Sequence, residues 1–344
     1  MNIQEARSIF TKKLIAVYKE KLTATAFLRS FFPSVESMTK EISIEVQRNG
    51  EPVAVDVHRY SDGNLNKFSK STEKIFVPPY FYEYIVANDH RLYDVAIGAQ
   101  NEAAFVQLAM EMADELFALQ QKIERKYELM CAQVLEDGIV QLRTSTNIDF
   151  KRKAGSLVDL GGGNYWASAV DPYEDLEAGA NFLRQTGKAG GGVFNGLFGA
   201  QAFSALLNNT AFKERNDLKN ISLDAVAPPQ RNSLGAAFHG EISIGSYKLR
   251  LWTYPEFYDL SGTSTPYLDE KKVVMLPENP NFKLAFAAVP QLIENGGEIP
   301  QKGAYLVQEF IDKKKTAHEI SIKSAGIPVP VAVDQIYTLK VVTG

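Results

Sequence analysis

Cysteine is almost missing from this chain: Cys131 stands alone among 344 residues. No intrachain disulfide and no thiolate-held metal cluster can form, and a reducing compartment suits that composition. Histidine is scarce as well. His58, His90, His239 and His318 are the only four, and none forms a local metal-ligand spacing. Neither sign of charge prevails. The 37 basic and 41 acidic side chains leave a formal charge of −4, which excludes a nucleic-acid binder that works through its whole field. No run approaches the roughly eighteen apolar residues of a membrane span. The opening MNIQEARSIFTKKLIAVYKEK sets Glu5 and Glu20 among its apolar residues and lacks the continuous core of a signal peptide. The protein is expected in the cytoplasm when made, with no membrane contact.

What is present is a set of extended and helical segments suited to building. Residues 3–21 are predicted as an amphipathic helix, with Ile3, Ala6, Phe10, Leu14 and Val17 on one face. Residues 1–40 carry seven basic against three acidic side chains; that excess suits a solvated helix face, a neighbour's acidic surface or packaged nucleic acid. The patch ATAFLRSFFP at 24–33 puts Phe27, Leu28, Phe31 and Phe32 close together, too much apolar surface to leave in water. EISIEVQ at 41–47 alternates as a strand. Residues 50–82 then read as a long polar hairpin, with 52–60 facing 71–77 across a centre rich in Ser, Asp, Gly, Asn and Lys. A hairpin of that kind is marginal alone and needs a further surface, which a second copy could supply.

From residue 99 to 137 neither Pro nor Gly occurs, and the spacing predicts a helix over about 100–131, a structural spine about 45 Å long. Ala113, Leu116 and Phe117 are expected to face strands within 139–148 and 331–342. Cys131, near the helix end, is expected to be a buried, inert thiol. Asp137 and Gly138 make a turn. Asp171 is placed to cap a helix that starts at Pro172, and Glu174 and Asp175 suit its positive end. Further strands are expected at 239–254, with a turn at Gly245, and at 271–278 and 282–290. The apolar terminal strand around 336–342 is expected to complete the sheet begun near residue 139. The segment from about 171 to 310 would then be an insertion.

No constellation for chemistry emerges. The glycine runs GGGNY at 161–165 and GKAGGGVFNGLFG at 187–199 lack the Lys-Ser or Lys-Thr that closes a phosphate loop, and Lys188 precedes its glycines. Tight turns or close backbone approach explain them better. Asp89, Asp94 and Glu102, and likewise Glu111, Asp114 and Glu115, lie near one another in sequence, a spacing that could hold a divalent ion but that ordinarily marks solvated groups. No nucleophile elbow occurs around Ser246. No catalytic, cofactor-binding or metal-ligating residue is therefore assigned, no cofactor is expected, and the chain is not expected to be an enzyme.

Four segments resemble one known family when taken in order: FLRSFFP, NKFSKSTEKIFVPPYF, VDLGG, and the ending KSAGIPVPVAVDQIYTLKVV. The chain resembles the major capsid protein E family of tailed bacteriophages, whose namesake is the phage lambda shell protein. VPPYF differs from the corresponding lambda segment, and the region after Val158 is shorter. The resemblance implies an α+β tailed-phage major capsid fold (HK-ninety-seven-like): an N-terminal arm at 1–48, an extended loop at 49–82, a peripheral domain with the spine helix at 83–170 and 311–344, and an inserted axial domain at 171–310. It implies self-assembly into hexamers and pentamers of an icosahedral shell enclosing double-stranded DNA. It also implies a procapsid that expands as DNA enters. The partners that the resemblance implies are a scaffolding protein, a portal and a decoration protein, with nonspecific contact to packaged DNA. Two other readings compete: an encapsulin-like or prophage-derived compartment, which neighbouring portal and terminase genes would separate, and a two-domain metabolic enzyme, which would need a pocket joining acidic groups to a histidine.

Overall fold

A computed structural model describes residues 24–47, 71–87, 101–142, 146–166, 170–218, 230–260, 262–292, 297–312 and 317–343. The expected helix at 3–21, the hairpin centre including Val55 and Val57, His58 and His90, and the acidic residues Asp89 and Asp94 lie outside them.

The spine is a single helix, Asn101–Glu136, five residues longer at its end than the sequence pattern predicts. It stops where the first glycine appears. Gly138 adopts φ 74°, and its N–H reaches back to Gln133 O at 3.1 Å, a left-handed closure that L side chains resist. Among the side chains described, Ile123, Tyr127, Met130, Val134 and Leu135 are buried, whereas Phe117 is 40% exposed and Ala113 is exposed.

Below that face lies a five-stranded sheet. Ala317–Pro330 is its long central strand; it pairs antiparallel with Tyr80–Ala87 and Leu306–Asp312 at one end and with Phe282–Phe286 at the other. Ser34–Glu36 joins parallel to Phe282–Phe286. Gly326 sits where helix and sheet come closest. A Cβ there would lie 2.8 Å from the Tyr127 ring and 2.7 Å from that of Phe286.

The expected contact of Ala113, Leu116 and Phe117 with 139–148 and 331–342 is therefore corrected. The spine packs on the strand Ala317–Pro330, with Tyr127 Oη 2.5 Å from Ser324 Oγ. The terminal strand touches only the helix end, where Thr338 Oγ1 donates to Leu135 O at 3.1 Å. Apolar side chains recur earlier on the helix as well, but among the described residues its buried apolar face starts at Ile123, over the sheet, and Phe117 is left exposed.

A second, seven-stranded sheet carries the other core. Val193–Phe198 is central, paired parallel with Tyr247–Thr253 and antiparallel with Lys272–Pro277. The terminal strand Tyr337–Lys340 lies between Lys272–Pro277 and Leu157–Asp159. It does not join Ile139–Val140, whose partner is Ile148–Asp149, so the expectation for the terminal strand is corrected as well. Two residues a side are too short a ladder to recruit a long apolar strand, whereas Lys272–Pro277 offers one buried along nearly all its length. The strand pairings also cross residue 310 in both directions, because Phe282–Phe286 belongs with the spine sheet and Tyr337–Lys340 with the other.

The helix Pro172–Gln185 covers the second sheet. Asp171 caps it, its side chain accepting from Tyr173 N at 3.0 Å, with Pro172 in the first turn and Glu174 and Asp175 behind it. Gly245 turns the hairpin of Ala237–Ile244 and Tyr247–Thr253 at φ 54°. Arg152 ties the two cores together. Its guanidinium donates to Leu135 O and Glu136 O at the spine end, to Ser156 O, and to Ile336 O and Thr338 Oγ1 on the terminal segment.

Candidate assembly surface

Among the described residues four two-stranded ladders stand outside the large sheets: Ile42–Gln47 with Ser71–Phe76, Phe257–Leu260 with Thr263–Pro266, Val289–Leu292 with Glu298–Gln301, and the short Ile139–Val140 with Ile148–Asp149. The first bears on the predicted hairpin. Among the described residues the partner of 71–76 is 42–47, in register from Ile42↔Phe76 to Gln47↔Ser71; the expected partner 52–60 lies outside them. The clean alternation of ISIEVQ and STEKIF fits a ladder, and the base of the projecting element therefore starts earlier than residue 49.

That ladder is anchored at its Ile42–Phe76 end. Ile42 is 7% exposed, and Phe76 stacks obliquely on Phe150 at 5.2 Å between centroids. Beyond this foot Ile75 and Val77 are 59% and 52% exposed. After Pro78 and Pro79 the chain enters the strand Tyr80–Ala87, whose two faces differ because successive side chains alternate. Phe81 turns inward, edge-on to Tyr127 at 5.5 Å, and Glu83 pairs with Lys122 of the spine at 2.7 Å. Tyr80, Tyr82, Tyr84 and Val86 turn outward and are 40–54% exposed. Tyr82 and Tyr84 stack at 5.6 Å, and Tyr82 Oη donates to Glu319 Oε1 at 2.8 Å. Along residues 75–86 one subunit thus presents a nearly continuous apolar and aromatic edge, a composition typical of the anchoring residues of protein interfaces. The hairpin 257–266 adds Phe257 and Leu260, 64% and 56% exposed. The periodicity of the sequence suggested the start of the first row, at Ile75 and Val77, but gave no sign of Tyr80–Val86 or of the second row.

The remaining candidates fall apart as sites. His239 Nε2 lies 2.7 Å from Thr253 Oγ1 and its ring packs on Phe203 at 4.3 Å; burial pulls its pKa below the usual value. The glycines at 187 and 199 are close-approach positions: added Cβ atoms would meet Asp334 O at 2.5 Å and Asp269 O at 2.2 Å. Gly190, Gly191 and Gly192 face open space, and the run precedes a strand instead of opening a helix. No group of three or more His, Cys, Asp or Glu among the described residues could hold a metal ion. Cys131 is fully buried, and burial pushes its thiol well above the usual range. A cleft of about 370 Å³ at the spine end is lined by Glu136, Asp137, Asp269 and Glu270 beside Tyr258 and Tyr267, with no histidine among its lining residues. Lys272 lies 3.0 Å from Asp137 and 3.7 Å from Asp269.

A spine helix laid on a sheet, a second sheeted core, and exposed ladders with apolar edges define a protein of the shell-forming class. A model of the family described as phage major capsid protein E matches residues 11–341; the chain belongs to that family. No curated protein matches the chain. Among solved structures it is similar to a capsid-protein candidate from a prophage of E. coli CFT073, at 15% identity over 98% of this chain and 99% of that one, with a TM-score of 0.61. A phage-related protein from Bordetella bronchiseptica RB50 aligns at 10% identity over 97% and 96% of the two chains, and the mature capsid of bacteriophage PhiM1 at 10% over 94% and 90%; both have a TM-score of 0.50. At these identities the likeness is one of fold, α+β and of the phage-capsid type.

Proposed function

We propose that this chain is the major capsid protein of a tailed bacteriophage. It associates with itself as hexamers and pentamers in an icosahedral shell around double-stranded DNA, and it has no catalytic role and no cofactor. The observation that carries this reading is the edge from Ile75 to Val86, which leaves apolar and tyrosine side chains in solvent on a lone subunit and would be covered by a second copy. Its place is the virion shell, reached from the host cytoplasm. A scaffolding protein, a portal and a decoration protein are its proposed partners, and contact with packaged DNA is through charge, without base readout.

In this reading residues 1–48 form the arm and 49–82 the extended loop, with the ladder 42–47/71–76 at their junction. The spine with its five-stranded sheet forms the peripheral part, and most of 171–310 the axial part. The sheet pairings favour grouping 282–292 with the former and 337–340 with the latter.

The test is electron microscopy of the purified chain, alone and co-expressed with the scaffold gene of its own cluster. Closed shells or capsomer rings are expected. A monomer under every condition would count against the proposal, and particles filled with protein cargo would instead favour an encapsulin-like compartment.

A further inference from the structure

Residues 24–32 form a strap across the body, held at its main chain by polar side chains from one face of the spine. Ala24 N donates to Gln121 Oε1 at 2.6 Å, Leu28 N to Glu128 Oε1 at 2.8 Å, and Arg29 N to Glu128 Oε2 at 3.0 Å. The last two N–H groups open the 3-10 turn Leu28–Phe31, whose own N-cap, Phe27, offers no side-chain acceptor. Glu128 therefore caps that turn from another element, filling the need left by a helix start. Tyr254 Oη, at the end of Tyr247–Thr253, also donates to Glu128 Oε1 at 2.8 Å and sits 2.5 Å from Thr25 Oγ1. Phe27, Leu28 and Phe32 of the strap are buried around it.

Glu128 is fully buried, yet among the described residues no basic side chain forms an ion pair with it. The Arg29 guanidinium pairs with Glu124 instead. The other titratable groups facing this spot are Cys131 on the helix, Tyr254 and Tyr267 from the second body, and Tyr305, which donates to Glu124 Oε1 at 2.7 Å. We propose that Glu128 couples docking of the strap to proton uptake, so that the N-terminal segment is held more tightly as the pH falls. The roof over the carboxylate is the strap itself; lifting it returns Glu128 to water, where it ionises as an ordinary glutamate. Docking buries a charge that Arg29, itself paired with Glu124, offsets only in part, and a proton lowers that penalty.

The direction agrees with the surroundings. Burial raises the Glu128 carboxyl above its usual value, against the pull of Leu28 N, Tyr254 and Arg29. A pKa higher in the docked than in the lifted state means docking is favoured below the ordinary glutamate value and weakens as pH rises through the docked one. Within that window the docking constant changes by up to about tenfold per pH unit.

The test is amide exchange by mass spectrometry on the full-length unassembled subunit at several values between pH 5 and 8, corrected for intrinsic exchange rates. Peptides covering 24–32 are expected to gain protection as pH falls, and the buried strand segment 321–330 serves as the reference for global opening. E128Q, which cannot ionise, should abolish the slope in the strap. Y254F removes a donor that stabilises the charge, and should extend the sensitive range upward. A wild-type strap whose protection is flat, or falls toward acid, overturns the proposal whether or not the variants fold, as does a wild-type slope retained in E128Q. The measurement is made on single subunits, so it stands or fails separately from shell formation.

Discussion

Glu136 closes the spine in a crowded place. It accepts from Asp269 N, lies 3.9 Å from Lys272 Nζ, and is pushed up to about 7 by burial, with Asp137 and Asp269 adding to the shift. Its folded pKa exceeds the ordinary value of 4.5. The stability it contributes is thus fully present below that ordinary value and is lost as pH rises through about 7. A shift of this size corresponds to about 3 kcal/mol. Denaturant midpoints taken across that range should fall more steeply for the wild type than for E136Q, and identical slopes would show that Glu136 does not carry the effect. Cys131, about a turn and a half earlier and without exposure, is an ordinary core side chain.

Among the elements, the spine carries an exposed aromatic side chain as well as its buried face. Phe117 is 40% exposed, so Phe117→Ala should lower the stability of the unassembled subunit by less than about 1 kcal/mol, well short of the 3–5 kcal/mol of a buried phenylalanine. Thermal melting of the variant decides this, and a large loss would mean that the helix face is covered within one chain. The ladder 42–47/71–76 makes a sharper case. Replacing both Ile75 and Val77 by Asp puts charge on side chains that solvent already reaches in one subunit, so circular dichroism melting should change little. If a neighbour covers that edge, the buried carboxylates oppose association, and particle counts should collapse. Normal shells from the double variant would remove the edge from the interface.

For the molecule as a whole, Arg152 is the joint between the two cores. It is mostly buried, and burial lowers its pKa to about 10. Its guanidinium satisfies four backbone carbonyls from the spine end, Ser156 and Ile336. Arg152→Met keeps much of the apolar stem but leaves those carbonyls without the donor, at about 1–3 kcal/mol for each that stays dry. A loss of at least about 3 kcal/mol is expected from urea unfolding; a near-neutral variant would mean that water replaces the guanidinium and that the cores are coupled by packing alone.

Local rules determined much of this protein from its sequence. A run without Pro or Gly forms the helix, Gly138 ends it, Asp171 and Pro172 start the next, and alternation marks Ile42–Gln47 and Tyr247–Thr253 as strands. These follow from contacts a few residues long, which periodicity and capping express directly. Only the tertiary structure decided which strands meet. Tyr337–Lys340 alternates equally well for any sheet, and its place beside Lys272–Pro277 depends on a buried partner far along the chain. Phe117 looked like core because a helical stripe records an apolar face without recording what lies beneath it. Glu128 reads in sequence as one more acidic residue of the helix; the strap that buries it comes from about a hundred residues away. The exposed edge was legible as composition, whereas its exposure depends on where the sheet ends, which no short stretch of residues encodes.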